Sequence, residues 1–575
     1  MKQEITRILM AALVLLCSVP ASAYDAEIDG IFYNLSEQNA IVTRNYSKDY
    51  EGDVVIPSSV TYNGVSYSVS GIDEYCFYEC EGLTSVVIPN SVVQIGNYAL
   101  RECPNLKSVK LPTNLKVIPD GFLFYSTGIT SIVIPEGVTE IEDCAFTGCS
   151  SLASITLPDG IAKVGTTAFE GTPWFEEFPD GLVYIGPVAY RYKGVMPSNT
   201  EIVIKDGTTM ISGECFWNRS ALASVTIPNT VTFIGDGAFH NCGGLTSITI
   251  PNSVEEIGGN AFGSCDGLTS VTIPSSVKKL GYWPFINCQG LTSITVESGN
   301  TVYDSRDNCN AIIETGTNML VNGCKYTTIP EGVQSIAWYG LSKVAFTSLT
   351  LPNSLEKIAS ESFRDCDCLA SIVIPDGVTE IGDWALYSCN VLASVSLGKN
   401  VKRLDSRTFA ECPNLKDVYC HATEFVNAST LAFENSKVDE NATLHVPGSL
   451  LETYKATAPW SDFKNIVALP TVKCATPTIT LLPNGRVKVE SATEGAKYVT
   501  KVTASSADPV TEAEFSLDAP LVVYTVTAYA TAEGYLDSDT ATSTFRWEKT
   551  ENDVNGDGNV DIGDVVKLVN VILGK

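Results

Sequence analysis

The chain has 575 residues, 66 Asp and Glu against 37 Lys and Arg, and a formal net charge of −29. That balance excludes a general nucleic-acid binder, because such affinity comes from basic side chains displacing counterions from phosphates. With 44% hydrophobic and 18% charged residues the chain is too apolar for disorder, and its three histidines, His240, His421 and His445, form no constellation, so an enzyme is the weaker expectation.

Residues 1–23 read as an export signal: Lys2 and Arg7, an apolar run from Ile8 to Leu16, then Ala21-Ser22-Ala23 before Tyr24. Lipidation at Cys17 is the alternative, but Leu16 places a bulky side chain where the processing peptidase prefers a small one. No later stretch approaches the roughly 20 apolar residues a membrane-spanning helix needs. The mature chain is therefore expected to be secreted or on the cell surface, starting near Tyr24.

From Leu83 the chain repeats itself every 23 residues. Leu83-Thr84-Ser85-Val86-Val87-Ile88-Pro89 returns at Leu106 and Ile129, and the same phase recurs at Leu222, Leu245, Leu268 and Leu291 and at Phe346, Leu369, Leu392 and Leu415. The unit reads L-T-S-[IV]-x-[IL]-P-x-[SG]-V-x-x-I-G-x-x-A-F-x-x-C-x-x. Positions 4 and 6 alternate around an outward position 5, which predicts a short strand that Pro ends. The later apolar positions, such as Val254, Ile257, Ala261, Phe262 and Cys265, turn the chain back beneath the strand. One such coil cannot bury its own apolar face, so about fifteen must stack, each sheltering the next.

These motifs resemble the BspA-like leucine-rich repeats, over residues 24 to about 467. The resemblance implies a mainly β solenoid of 23-residue coils, with an N-terminal cap and first partial repeat over 24–82 and repeats over 83–467. It also implies hairpin insertions at 175–198 and 297–323 and a C-terminal cap, carried by Val446-Pro447 to Phe463. Nine of the 18 cysteines stand at repeat position 21, from Cys80 to Cys412. Stacked coils would set their Cα–Cβ bonds parallel, a poor approach for disulfides, so they read as a ladder of free thiols filling space as small hydrophobes. Cys309 with Cys324 is the best candidate bridge.

Beyond Pro470 the 23-residue phase gives way to strand alternation, and 472–548 reads as a small β-sandwich resembling immunoglobulin-like or fibronectin-III-like domains. Residues 552–575 follow with a calcium loop-helix pattern. A twelve-residue loop supplies oxygens at positions 1, 3, 5, 7, 9 and 12, here Asp553, Asn555, Asp557, Asn559, Asp561 and Asp564, with Gly558 at the sharp turn. Asp at position 12 resembles a dockerin repeat, although the chain carries one such unit and a full dockerin two. The helix expected next would present Val565, Leu568, Val569 and Ile572, a face that needs either the neighbouring domain or a partner such as a cohesin-like one.

Two surfaces of the solenoid are candidates for binding. Outward strand positions form Ser and Thr ladders, and positions 15 and 16 of some coils carry aromatics: Tyr282, Trp283, Trp338, Tyr339 and Trp384. If the second insertion belongs to the coil starting at Leu291, these sets stand two coils, roughly 10 Å, apart, a spacing suited to stacked sugars. Corner packing of amphipathic rings is the alternative.

The expected function is a non-catalytic exported binding protein, adhesin-like, holding protein or glycan on host or cell surfaces. The alternative is a glycan-binding subunit of a secreted polysaccharide-degrading assembly. Gly-x-Ser-x-Gly, His-Glu-x-x-His and phosphate-loop motifs are absent from the chain.

Overall fold

The computed structural model describes residues 24–346, 349–469, 475–481, 486–493, 496–502, 514–516, 523–531, 538–546 and 570–572. They form two units: one of residues up to 417 with 424–442, the other of 418–423 with everything from 443 onward.

The first unit is a solenoid of 23-residue coils. Pairing confirms the repeat directly: Ser85 stands opposite Ser108, Ser131 opposite Ser154, Ser270 opposite Ser293 and Ser371 opposite Ser394, all in parallel register. Parallel neighbours offset by one whole coil are what identical units give when they stack.

A second ladder, not expected from the sequence, runs through repeat positions 12 and 13. Val188–Lys193 pairs with Met210–Ile211, then Phe233–Ile234, Glu256–Ile257 and Lys279–Leu280. Another set runs from Met319–Gly323 through Ser335–Ile336, Lys357–Ile358, Glu380–Ile381 and Arg403–Leu404 to Asn427–Ala428. Beyond the strand that begins each set, every rung is two residues long, too short for an alternation of apolar and polar residues to reveal it.

The third side of each coil is a run of turns. Its backbone N–H groups also pair with the next coil, as Tyr98, Leu100 and Glu102 do with the carbonyls of Asp120, Phe122 and Phe124 at 2.8–3.0 Å. Positions 16 and 20 take left-handed φ there, for example 52° at Asn260 and 56° at Ser264. Glycine after the apolar residue of the short rung has a packing cause: a Cβ on Gly258 would lie 2.5 Å from the backbone nitrogen of Asp236 in the preceding coil.

Inside, Phe216, Phe239, Phe262 and Phe285 stack face to face at 5.1, 5.2 and 5.4 Å, all essentially inaccessible to solvent. Both insertions are antiparallel hairpins: Gly181–Ile185 with Val188–Lys193, and Ala311–Glu314 with Met319–Gly323. Each then pairs in parallel with the following short rung, so the insertions begin fresh ladders. Antiparallel strands Ala26–Ile28, Ile31–Ser36 and Asn39–Val42 occupy the N-terminal end.

In the second unit Thr443–Val446 pairs in parallel with Asn465–Ala468, and the helix Leu451–Ala456 brings buried Tyr454 against buried Trp460. Further on, Thr478–Leu481, Arg486–Glu490 and Glu514–Ser516 form one antiparallel sheet. Lys497–Val502, Val523–Thr531 and Ala541–Arg546 form another, with Asn570–Ile572 as its last strand. That last strand corrects the expected helix at Ile572: the β-branched pair Val571-Ile572 finds backbone partners along the edge of Ala541–Arg546. Asp553, Asn555, Asp557, Asn559, Asp561, Asp564, Val565, Leu568 and Val569 lie outside the described residues.

Cys309 and Cys324, the candidate bridge, are free thiols. Each points its sulfur at a backbone carbonyl instead, Cys309 at Ala311 (3.7 Å) and Cys324 at Asn310 (3.3 Å).

Candidate functional site

The cysteine ladder has more chemistry than space filling. Its thiols are free and, apart from half-buried Cys288, buried, and from Cys103 onward each donates to the position-18 carbonyl of the coil before it. Cys242 reaches Phe216, Cys265 reaches Phe239 and Cys389 reaches Phe363, at 3.1, 3.1 and 3.2 Å. Where a coil has serine at position 21 the hydroxyl makes the same bond, Ser126 to Leu100 at 2.6 Å. Burial pushes the Cys265 thiol up to about 12, so it stays protonated and keeps its donor. These are structural groups and not nucleophiles.

The aromatic residues singled out from the sequence gather on the turn edge. Trp283, Tyr339 and Trp384 all sit at position 16 with left-handed φ of 55°, 55° and 58°, which swings their rings along the edge. Trp283 packs edge to face against Trp338 (4.8 Å between centroids, 88°) and Tyr339 (4.9 Å, 72°), and Tyr282 lies 6.0 Å from Trp283. The roughly 10 Å gap expected from the sequence is absent between Trp283 and the Trp338-Tyr339 pair. The hairpin presents Asn322-Gly323 where an intervening coil would present its own edge, and Gly323 donates its N–H straight to Gly340. A Cβ at Gly323 would strike Leu341 at 2.4 Å, so the coils on either side close up.

Trp283 is the half-buried hub of this cluster, whereas Tyr282 is 77% and Trp338 46% exposed. The Trp338 indole donates to Glu361 at 3.3 Å, and Glu361 also holds Arg364 at 2.6 Å. Arg364 lies over Trp384 and Tyr387, and Arg407 lies 4.8 Å over Trp384 while pairing with Glu434. Trp384 is thus engaged by two guanidinium groups and stands apart from the four-ring cluster. Burial, with the Glu361 carboxylate beside it, pushes the Tyr339 phenol up to about 12.

The strand face is the other broad surface. Thr272 and Thr295 touch through their hydroxyls at 3.0 Å, and Val133, Val203 and Val373 stand exposed at outward position 5. Among the described residues no group of three or more His, Cys, Asp or Glu is placed to hold a metal ion, and no helix is long and apolar enough to cross a membrane.

The family described as BspA type leucine rich repeat region, in six copies, matches residues 70–196, 120–242, 184–311 and 321–448. The chain belongs to this family. Solved structures similar to it include a leucine rich cell surface protein from Faecalibacterium prausnitzii, 23% identical, covering 74% of this chain and 96% of that one, with a TM-score of 0.35. A leucine-rich repeat protein from Bacteroides ovatus is 23% identical over 78% of this chain and 100% of its own, with a TM-score of 0.29. The pneumococcal vaccine antigen PcpA is 16% identical over 78% and 98%, with a TM-score of 0.37. No curated protein matches the chain.

Within the BspA-type coils the sequence singled out these rings without their contacts. It missed Glu361 and Arg364, which brace them, because no motif marks a residue whose partner is one coil away.

Proposed function

We propose that the chain is a non-catalytic, exported surface protein that binds macromolecules of host or neighbouring cells through the flanks of its solenoid. The observation that carries this reading is the form of the exposed surface: long ladders of uncharged strand residues and a braced aromatic edge. The shifted titratable groups include buried thiols and phenols held in their neutral forms and His240, whose pKa burial lowers. Ligand-sized clefts of catalytic type combine convergent acids and bases; broad flanks suit partners that are themselves extended. The export signal at residues 1–23 agrees with a location outside the cytosol.

In this reading Asp553, Asn555, Asp557, Asn559, Asp561 and Asp564 bind calcium, and the C-terminal segment attaches the protein to a partner or to its own neighbouring domain. The sandwich-like sheets at 478–546 then act as an immunoglobulin-like spacer. The alternative, a glycan-binding subunit of a polysaccharide-degrading assembly, shares the same non-catalytic logic and draws on the dockerin-like pattern.

The test is binding of the mature chain to immobilised matrix proteins and to intact host cells, together with protease shaving of producing cells. Saturable binding and release by protease support the proposal; release of reducing sugar from polysaccharide would overturn it. For calcium, titration calorimetry should give one site per chain, lost in an Asp557→Ala, Asp564→Ala variant.

A further inference from the structure

The second hairpin leaves a small cleft, about 20 Å³, beside the aromatic cluster. Asn287, Gln289, Asn322, Lys325, Tyr339 and Lys343 are among its lining residues, and no aspartate or glutamate lines it. In a chain of net charge −29 this is an unusual place. Lys325 and Lys343 are both exposed and neither has an ion pair among the described residues. Tyr339 belongs to the cleft and to the ring cluster at once, so the lysines and the rings adjoin the same cleft.

We propose that this surface binds an acidic polysaccharide, one whose sugar units carry uronate carboxylates. The proposal rests on the surface-binding reading and names a ligand class for it.

Two features select that chemistry. The outer faces of Tyr282 and Trp338 are open, and a ring face is electron-rich, so it attracts the polarised C–H groups on one side of a pyranose. Trp338 is already held by Trp283 and Glu361, so little freedom is lost when a sugar settles on it. Lys325 and Lys343 supply the charge for carboxylates spaced along the same polymer.

An acidic peptide would satisfy the lysines, but protein hot spots seat their aromatic anchors in enclosed, desolvated pockets. Here the two outer rings lie open on the edge, which a sugar face can use and a peptide anchor cannot.

The experiment is affinity electrophoresis of the full mature chain in native gels cast with polygalacturonate, alginate or hyaluronan, each compared with methyl-esterified pectin as an uncharged counterpart. The protein's own negative charge works against non-specific retention in polyanion gels. We expect retardation by at least one of the three acidic polymers and weaker retardation by the ester. The effect should fall at high salt and drop at least about tenfold in apparent affinity in both Tyr282→Ala, Trp338→Ala and Lys325→Ala, Lys343→Ala. All four substituted side chains are exposed, and an unchanged circular-dichroism melting curve verifies the fold. Unchanged migration in all three acidic gels, equal retention by the ester, retention indifferent to both double variants, or equal competition by poly-glutamate would each overturn the proposal. A wild-type chain that binds cells but ignores the three polymers sinks this inference alone; one that binds neither sinks the surface-binding reading too.

Discussion

The phenol of Tyr190 lies 2.9 Å from the backbone N–H of Phe169 and accepts its hydrogen bond. In the two coils before, the equivalent N–H groups of Leu123 and Phe146 donate to the carbonyls of Ala145 and Ala168. At Phe169 the first hairpin replaces the next coil's edge, and a tyrosine hydroxyl stands in for the missing carbonyl. Asn322 does the same for Phe285 at the second hairpin, at 3.2 Å. Tyr190→Phe keeps the packing but leaves a buried N–H unpaired. The expected loss is about 1–3 kcal/mol, read as a lower urea midpoint at unchanged slope. A midpoint equal to wild type would show that the hydroxyl is not needed there.

Cys265 offers a comparison of side chains at one site. Cys265→Ser keeps a donor for the Phe239 carbonyl, as Ser126 does naturally for Leu100, and should melt close to wild type. Cys265→Ala removes the donor and leaves a small gap, at a cost of about 1–2 kcal/mol. If alanine proves as stable as serine, the thiol is only filling space.

Gly258→Ala tests the close approach of coils. The new methyl group would meet the backbone of Gly235 and Asp236 at 2.5–2.7 Å, and backbone cannot swing aside as a side chain can. We expect a loss of about 1–3 kcal/mol or more in thermal melts. Gly243→Ala, where nothing lies within 4 Å of the added carbon, is the control.

Asp120 should make stability depend on pH. Burial pushes its carboxyl above the ordinary range, although the Tyr98 hydroxyl donates to it at 3.0 Å. A carboxyl with a raised folded-state pKa contributes stability below its unfolded pKa and loses it as pH rises through the folded value. Asp120→Asn should therefore melt higher than wild type at pH 7, with the difference closing as pH falls below about 4. A variant that melts lower at pH 7 would reverse the sign and refute the burial account.

The repeat, the placing of one strand per coil, both hairpin insertions and the free thiols were legible in the sequence, because each depends on which residue types recur at a fixed interval. The two-residue rungs at positions 12 and 13 were not, since a segment such as Glu256-Ile257 carries no periodicity of its own and becomes strand only when Phe233-Ile234 and Lys279-Leu280 lie beside it. The same limit hid the role of the cysteines as donors.

What the sequence determined by itself was the solenoid: a 23-residue interval kept through so many copies leaves stacking as the only way to bury Ile257, Phe262 and their equivalents. Tertiary structure alone decided which rings meet. Trp283 and Trp338 are 55 residues apart in the chain and touch because a hairpin takes one coil's place and offers Asn322-Gly323 at the edge. Distance along a regular repeat converts into distance in space only while the repeat is unbroken, and it is at the break that the cluster forms.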